Sequence, residues 1–166
     1  MTVSPLTIKH GGLTNVIKSE AAISIPFLEG DPAPEIKKYT AVWDTGAMST
    51  VITQKIVDDL KLKQIDMVPA SSATTSGTAP VYLVNLMLPS NVTITGVRVI
   101  QMNVQGSDIL IGMDIITLGD FSITNHEGKT CMSFRIPSSH EIDYVKDAQI
   151  AALPRHMRRH LPKGSK

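Results

Sequence analysis

One cysteine, Cys131, is all the chain has, so no disulfide can close within it and a zinc site built on cysteines is excluded. Long apolar runs are missing too, and nothing approaches the ~20 residues that a membrane-spanning helix needs. The first residues, MTVSPLTIKHGG, lack the basic opening, apolar stretch and small-residue cleavage site of a secretory signal. The expectation is a soluble protein in a reducing, cytoplasmic setting, without a membrane partner. Several chemical signatures are also absent. There is no G-x-S-x-G elbow, no complete G-x-x-x-x-G-K-S/T phosphate loop and no G-x-G-x-x-G turn. No cofactor is expected.

Aromatic residues are scarce, at 4%, while apolar and charged fractions are ordinary for a globular protein. At 166 residues the chain can bury one well-formed core, not two comfortable ones. Its formal net charge of +1 conceals an asymmetry, because five basic residues and no acidic one follow Leu153. A mildly acidic body therefore ends in a basic tail, 153–166. No aromatics are interleaved with those charges, so a solvated tail is preferred over a nucleic-acid contact.

Period-two and β-branched patterns dominate up to about Pro137. Strands are expected over 21–30 and 36–43, separated by the turn-forming GDPAPE. Ile56, Val57 and Leu60 at helical spacing predict a short helix over 53–62, with Thr53 as N-cap. Over 67–88, Gly77 and Pro80 favour an irregular hairpin rather than two long strands. A β-rich run over 92–104 is broken at Gly96, and a short apolar strand, Ile109, Leu110 and Ile111, stops at Gly112. A helical turn over 113–118, strands from Phe121 and over 129–137, and a helix over 141–153 complete the reading. The class is all-β, mainly strands with short helices. It divides into a domain over 1–137 and a C-terminal helix with a flexible tail over 138–166.

The strongest chemical candidate is Asp44-Thr45-Gly46, inside AVWDTGAMSTVIT. An acid where an apolar strand ends is half desolvated, which raises its pKa and suits it to proton transfer. Thr45 offers a hydroxyl, and Gly46 permits a sharp turn and close approach. As a bare tripeptide it is better read as an ordinary β-turn. Its context carries more. Ala47 follows, then a helix, then the Gly77 hairpin, and some sixty residues on ILIG repeats the plan of an apolar strand running into glycine.

That order resembles the retropepsin-like aspartic proteases, over about residues 20–136. The resemblance implies a half-barrel with a flap hairpin, closing as a homodimer. It makes Asp44 the catalytic residue, with Thr45, Gly46 and Ala47 as the active-site loop. Thr75, Ser76, Gly77 and Thr78 fall near the tip of the flap, and Ile109, Leu110, Ile111 and Gly112 form the supporting strand. Met48 departs from the family's pattern, in which a polar or small residue is common there.

Hydrolysis by this route needs two carboxylates sharing one proton, yet no second Asp-Ser/Thr-Gly occurs. Asp108, Asp114 and Asp120 all lack the following pair. A homodimer with its axis between two copies of Asp44 resolves this. The implied activity is that of an aspartic endopeptidase acting on an extended peptide or unfolded protein segment. The alternative is a catalytically silent dimeric peptide-binding or scaffold domain of the same fold. Other candidates are weaker. His156 and His160 lack the acid of a zinc motif, HEIDY has Tyr144 where a second histidine belongs, and no metal is expected. Asp114 reads as a charge at the start of a short helix, and Cys131 as a buried hydrophobe.

Overall fold

The structure of the chain is a computed structural model that describes residues 3–27, 30, 32–71 and 76–154. It is mostly β, in two sheets around one core. The larger sheet runs β2 (Ile17–Ser24), β3 (Lys37–Trp43), β8 (Ile109–Ile111), β4 (Val51–Ile52), β7 (Val92–Gln101), β6 (Ser76–Leu88) and β5 (Asp66–Ser71). Pairing of β6 back onto β2, from Ala22↔Met87 to Ser24↔Asn85, closes it into a barrel and leaves β5 on the outside. The smaller sheet is antiparallel, in the order β1 (Ser4–Lys9), β10 (Cys131–Ile136), β9 (Asp120–Thr124). Three helices accompany them: α1 (Gln54–Leu60), α2 (Met113–Ile116) and α3 (Tyr144–Ala152).

Alternation decides which faces turn inward. In β3 Tyr39, Ala41 and Trp43 are buried while Lys38 and Thr40 face out. Short β8 is central to the sheet, and its Ile109 and Ile111 are fully buried. The two sheets meet at the single tryptophan. The Trp43 ring stacks on Phe121 at 5.7 Å between centroids and lies tilted against Phe134 at 5.2 Å. Such pairs contribute about 0.5–1.5 kcal/mol beyond the area they bury. Three of the seven aromatics therefore meet around the last residue of β3.

Several expectations meet a different outcome. The first predicted strand, 21–30, starts earlier at Ile17 and stops at Ser24, just before Pro26. β1 has no counterpart in the sequence reading, because its partner β10 lies at the other end of the chain, in the register Ser4↔Ile136. The predicted irregular hairpin is instead a regular ladder, with β6 running through Gly77 and Pro80. Proline is tolerated there because the β6–β7 ladder begins only at Val81↔Ile100, so Pro80 has a strand on one side alone.

Gly96 does not break β7. It sits in the left-handed region at φ 66, in a bulge opposite Asn85, and its N–H donates to Asn85 Oδ1 at 3.0 Å. Thr53 occupies the N-cap position of α1, but its hydroxyl makes no cap bond. Cys131 is half-buried rather than buried. α3 forms within the predicted helical span, capped by the Asp143 carboxylate, which accepts from Val145 N–H and Lys146 N–H. None of its residues is buried. His156, His160 and the basic residues from Arg155 onward lie outside the described residues. Among the described residues no helix is long and apolar enough to cross a membrane.

Candidate active site

The chain leaves β3 at Asp44, loops through 44–50, and returns as β4 on the opposite side of β8. β8 is thus gripped between the strand before the loop, parallel to it in the register Trp43↔Ile111, and the strand after it, antiparallel in the register Val51↔Leu110. The loop has to cross the end of β8, and the residue beneath it is Gly112. A Cβ on Gly112 would stand 2.6 Å from the carbonyl carbon of Ser49 and 3.0 Å from the carbonyl oxygen of Ala47. Its φ is −93, so close approach rather than backbone strain demands glycine here.

Hydrogen bonds fix the loop from below. Asp44 N–H donates to the Ile111 carbonyl at 2.9 Å, and Ala47 N–H closes a turn onto the Asp44 carbonyl at 3.2 Å. From α2, Met113 N–H donates to the Ala47 carbonyl at 2.8 Å and Asp114 N–H to the Met48 carbonyl at 3.2 Å. The Asp114 side chain then braces the far end of the loop. Its carboxylate accepts from Thr50 N–H at 3.0 Å and from the Thr50 hydroxyl at 2.8 Å, while Gly112 N–H donates to that same hydroxyl oxygen at 3.2 Å. Thr50 is 1% exposed, so these bonds are shielded from water.

The side chain of Asp44 is oriented locally. Gly46 N–H donates to its Oδ1 at 2.8 Å, and a Cβ on Gly46 would approach that oxygen to 3.1 Å. Asp44 is half-buried, Thr45 and Gly46 are exposed, and Met48 is 87% exposed, the most open large apolar side chain described. The arrangement presents an acid, a hydroxyl and a thioether to the outside while anchoring the backbone that carries them.

Asp44 to Ala47 and Ile109 to Gly112 are therefore brought together. The hairpin residues are placed separately: Gly77 and Thr78 are exposed on β6, opposite Ala70 and Pro69, and Ser76 pairs with Ser71. Thr75 lies outside the described residues. Sequence reasoning missed the brace of Thr50 and Asp114. Its only trace was a threonine six residues after Asp44 and an acid two after Gly112, a pairing no local pattern announces.

Concavity and chemistry do not coincide in the single chain. A cavity of about 460 Å³ lies along Lys18, Glu20, Lys38, Tyr39 and Asp108, at the opposite end of β3 from Asp44. There burial, with the carboxylate of Asp59 next in weight, pushes the Tyr39 phenol well above its ordinary range. A second cavity of about 270 Å³ lies on the small sheet near Ser122, Ser133 and Ile142. Neither includes Asp44. Among the described residues no cluster of His, Cys, Asp and Glu can hold a metal ion.

A family model described as aspartyl protease matches residues 30–115, which contain both Asp44 and Gly112. Among solved structures, a retropepsin-like aspartic protease from Rickettsia conorii is similar with a TM-score of 0.50 and 13% identity, over 81% of this chain and 96% of that one. The simian foamy virus (mac) protease has a TM-score of 0.41 and 18% identity, over 59% of this chain and 89% of that one. No curated protein matches the chain. The fold is retropepsin-like.

Proposed function

Because the chain belongs to the aspartyl protease family, we propose that it is an aspartic endopeptidase whose catalytic unit is a homodimer with one Asp44 from each subunit. The observation that carries this reading is the loop itself. It holds one acid, oriented by Gly46 N–H and left half open, beside an exposed Thr45. Each chain supplies half of a dyad, and the open side of the loop is where the other half belongs.

Two carboxylates side by side cannot both ionise cheaply, so the pair holds one proton between them. The ionised member takes a proton from water as its oxygen attacks the peptide carbonyl carbon. The protonated member donates to the carbonyl oxygen. Collapse of the resulting diol breaks the C–N bond as the departing nitrogen takes the proton that the first carboxylate removed from water and the second carboxylate recovers a proton from the diol hydroxyl, which returns the pair to its one-proton state. Gly46 N–H holds Asp44 Oδ1 throughout, and the backbone bond to Ile111 prevents the acid from drifting. The β5–β6 hairpin, with Thr75, Ser76, Gly77 and Thr78, acts as the flap over an extended peptide bound by strand-like hydrogen bonds.

Asp44→Asn keeps the Gly46 contact geometry and removes the exchangeable proton. Cleavage of an unfolded protein substrate should fall by about a thousandfold or more, with circular dichroism and oligomeric state unchanged. Peptidase activity persisting at the wild-type rate in that variant would overturn the reading.

A further inference from the structure

The outer face of the small sheet carries a row of hydroxyls with a cavity above it. Leu6 and Phe134 are buried opposite each other on β1 and β10, so the residues beside them in each strand face outward. Thr7, Ser133 and Ser122 stand there in register across all three strands. Further along the same face, Arg135 lies opposite Asp120. After β10 the chain turns back onto these residues. The Ser138 hydroxyl and Ser139 N–H donate to the Asp120 carboxylate, and Arg135 Nη2 donates to His140 Nδ1 at 2.6 Å. Thr7, Ser122, Ser133, Arg135, His140 and Ile142 then line the cavity of about 270 Å³.

Hydrogen-bonding capacity around this cavity is one-sided. Asp120 is the only carboxylate among the described residues lining it, and it already accepts from Ser138, Ser139 and Arg135 Nε. Because His140 Nδ1 accepts from Arg135, the neutral imidazole carries its hydrogen on Nε2, which is then a donor. The Thr7 and Ser133 hydroxyls share one bond at 3.0 Å, so one hydrogen of that pair is free. Among the described residues the Ser122 hydroxyl has no partner at all. Donors facing a spent acceptor suit an anion. Asp120 already offsets the charge of Arg135, so a single negative charge fits better than the two of a phosphate. Pro5 and Ile142 border the cavity with apolar surface, and its volume lies below that of pockets for drug-sized ligands.

We propose that this cavity binds a small organic monocarboxylate, with its carboxylate on Arg135, His140 Nε2 and the Ser122 hydroxyl and its short apolar end against Ile142. Phe121, between Asp120 and Ser122 on the opposite face of β9, stacks on Trp43, so occupancy is felt at the residue before Asp44. The site itself does not depend on the protease reading.

The test is titration of the purified, isotope-labelled full chain with sodium propionate at constant ionic strength, with propionamide and inorganic phosphate as separate arms. Binding is read from amide NMR shifts residue by residue and from the fluorescence of Trp43, the single tryptophan. Propionate should shift the amides of Ser122, Ser133, Arg135 and His140 saturably and change the Trp43 emission. Propionamide should do neither, and phosphate should bind more weakly than propionate. Ser122→Ala removes a hydroxyl on which no described residue depends, and it should weaken propionate about tenfold with circular dichroism intact.

Propionamide shifting the same amides equally, phosphate binding more tightly than propionate, or unchanged affinity in Ser122→Ala overturns the carboxylate site. Propionate that shifts these amides without saturating, or saturates only at residues elsewhere, overturns it too. Trp43 emission that stays constant while the amides saturate overturns the link to Asp44 and leaves the site standing. Should Ser122→Ala fail to fold, the wild-type shifts and the propionamide and phosphate arms decide.

Discussion

β3 and β8 are neighbours, parallel and in register, and each runs apolar residues into a sharp end. Trp43 pairs with Ile111, and the next residues are Asp44 and Gly112. One end is left half open with a carboxylate on it. The other is roofed by the loop so closely that no side chain fits. The difference shows how presenting and anchoring an acid are divided between two similar strands. One presents an acid and the other, by having no side chain, lets the presenting loop fold back and be tied down.

Filling the roofed end should have the larger effect on stability. Gly112→Ala drives a methyl into backbone atoms of Ser49 at 2.6 and 2.7 Å, and backbone cannot rotate away. A loss of about 3 kcal/mol is expected in urea unfolding, with activity falling further than the folded fraction does. Wild-type stability in this variant would mean that the loop is not pressed onto β8.

Cutting the brace comes next. Asp114→Ala removes the acceptor for Thr50 N–H and its hydroxyl, both held in a buried position. Stability should fall by about 2 kcal/mol, because the donors are left without partners away from water. Catalytic rate should fall more than substrate affinity, since the loop carrying Asp44 loses its far anchor while the hairpin is untouched. Equal losses in kcat and KM would remove the distinction between presenting and anchoring ends.

The smallest effect is expected from a second carboxylate of similar design. Asp120, six residues after Asp114, likewise accepts a hydroxyl and a backbone N–H, from Ser138 and Ser139, and adds Arg135. The Ser138 hydroxyl above all, then Ser139 N–H and Arg135, hold its carboxyl far below the ordinary value of 3.8. A depressed folded-state value contributes stability above 3.8 that is lost as pH falls from there through the folded value. The acid limb of a pH–stability curve should therefore flatten slightly in Asp120→Asn, while its stability at low pH matches the wild type. This latch keeps partial contact with solvent, Arg135 being 28% and Asp120 14% exposed, whereas Asp114 braces a buried threonine, so the pH-dependent loss should remain small.

Much of the candidate site's local structure was legible because its signal is local. An apolar run ending in Asp-Thr-Gly-Ala, and another ending in glycine, each state a strand and its stop within a few residues. α1 was legible from the spacing of Ile56, Val57 and Leu60, although its capping bond was not formed. β1 was not, since six alternating residues mean little until β10 is beside them. The straight course of β6 through Pro80 was hidden because proline's penalty depends on which neighbours a strand has at that residue. Asp114 does stand in the first turn of α2, as its position suggested, but its bracing of Thr50 was hidden because the two are distant in sequence.

The sequence by itself determined where apolar runs stop and where an acid stands without a second copy of its motif. Those properties follow from the chemistry of single residues and their immediate neighbours. Tertiary structure decided that Gly112 lies under the Asp44 loop, that Thr50 and Asp114 lock it, and that Trp43 rests on Phe121. Each of these depends on contacts between segments far apart in the chain, whose energies exist only once the barrel has closed.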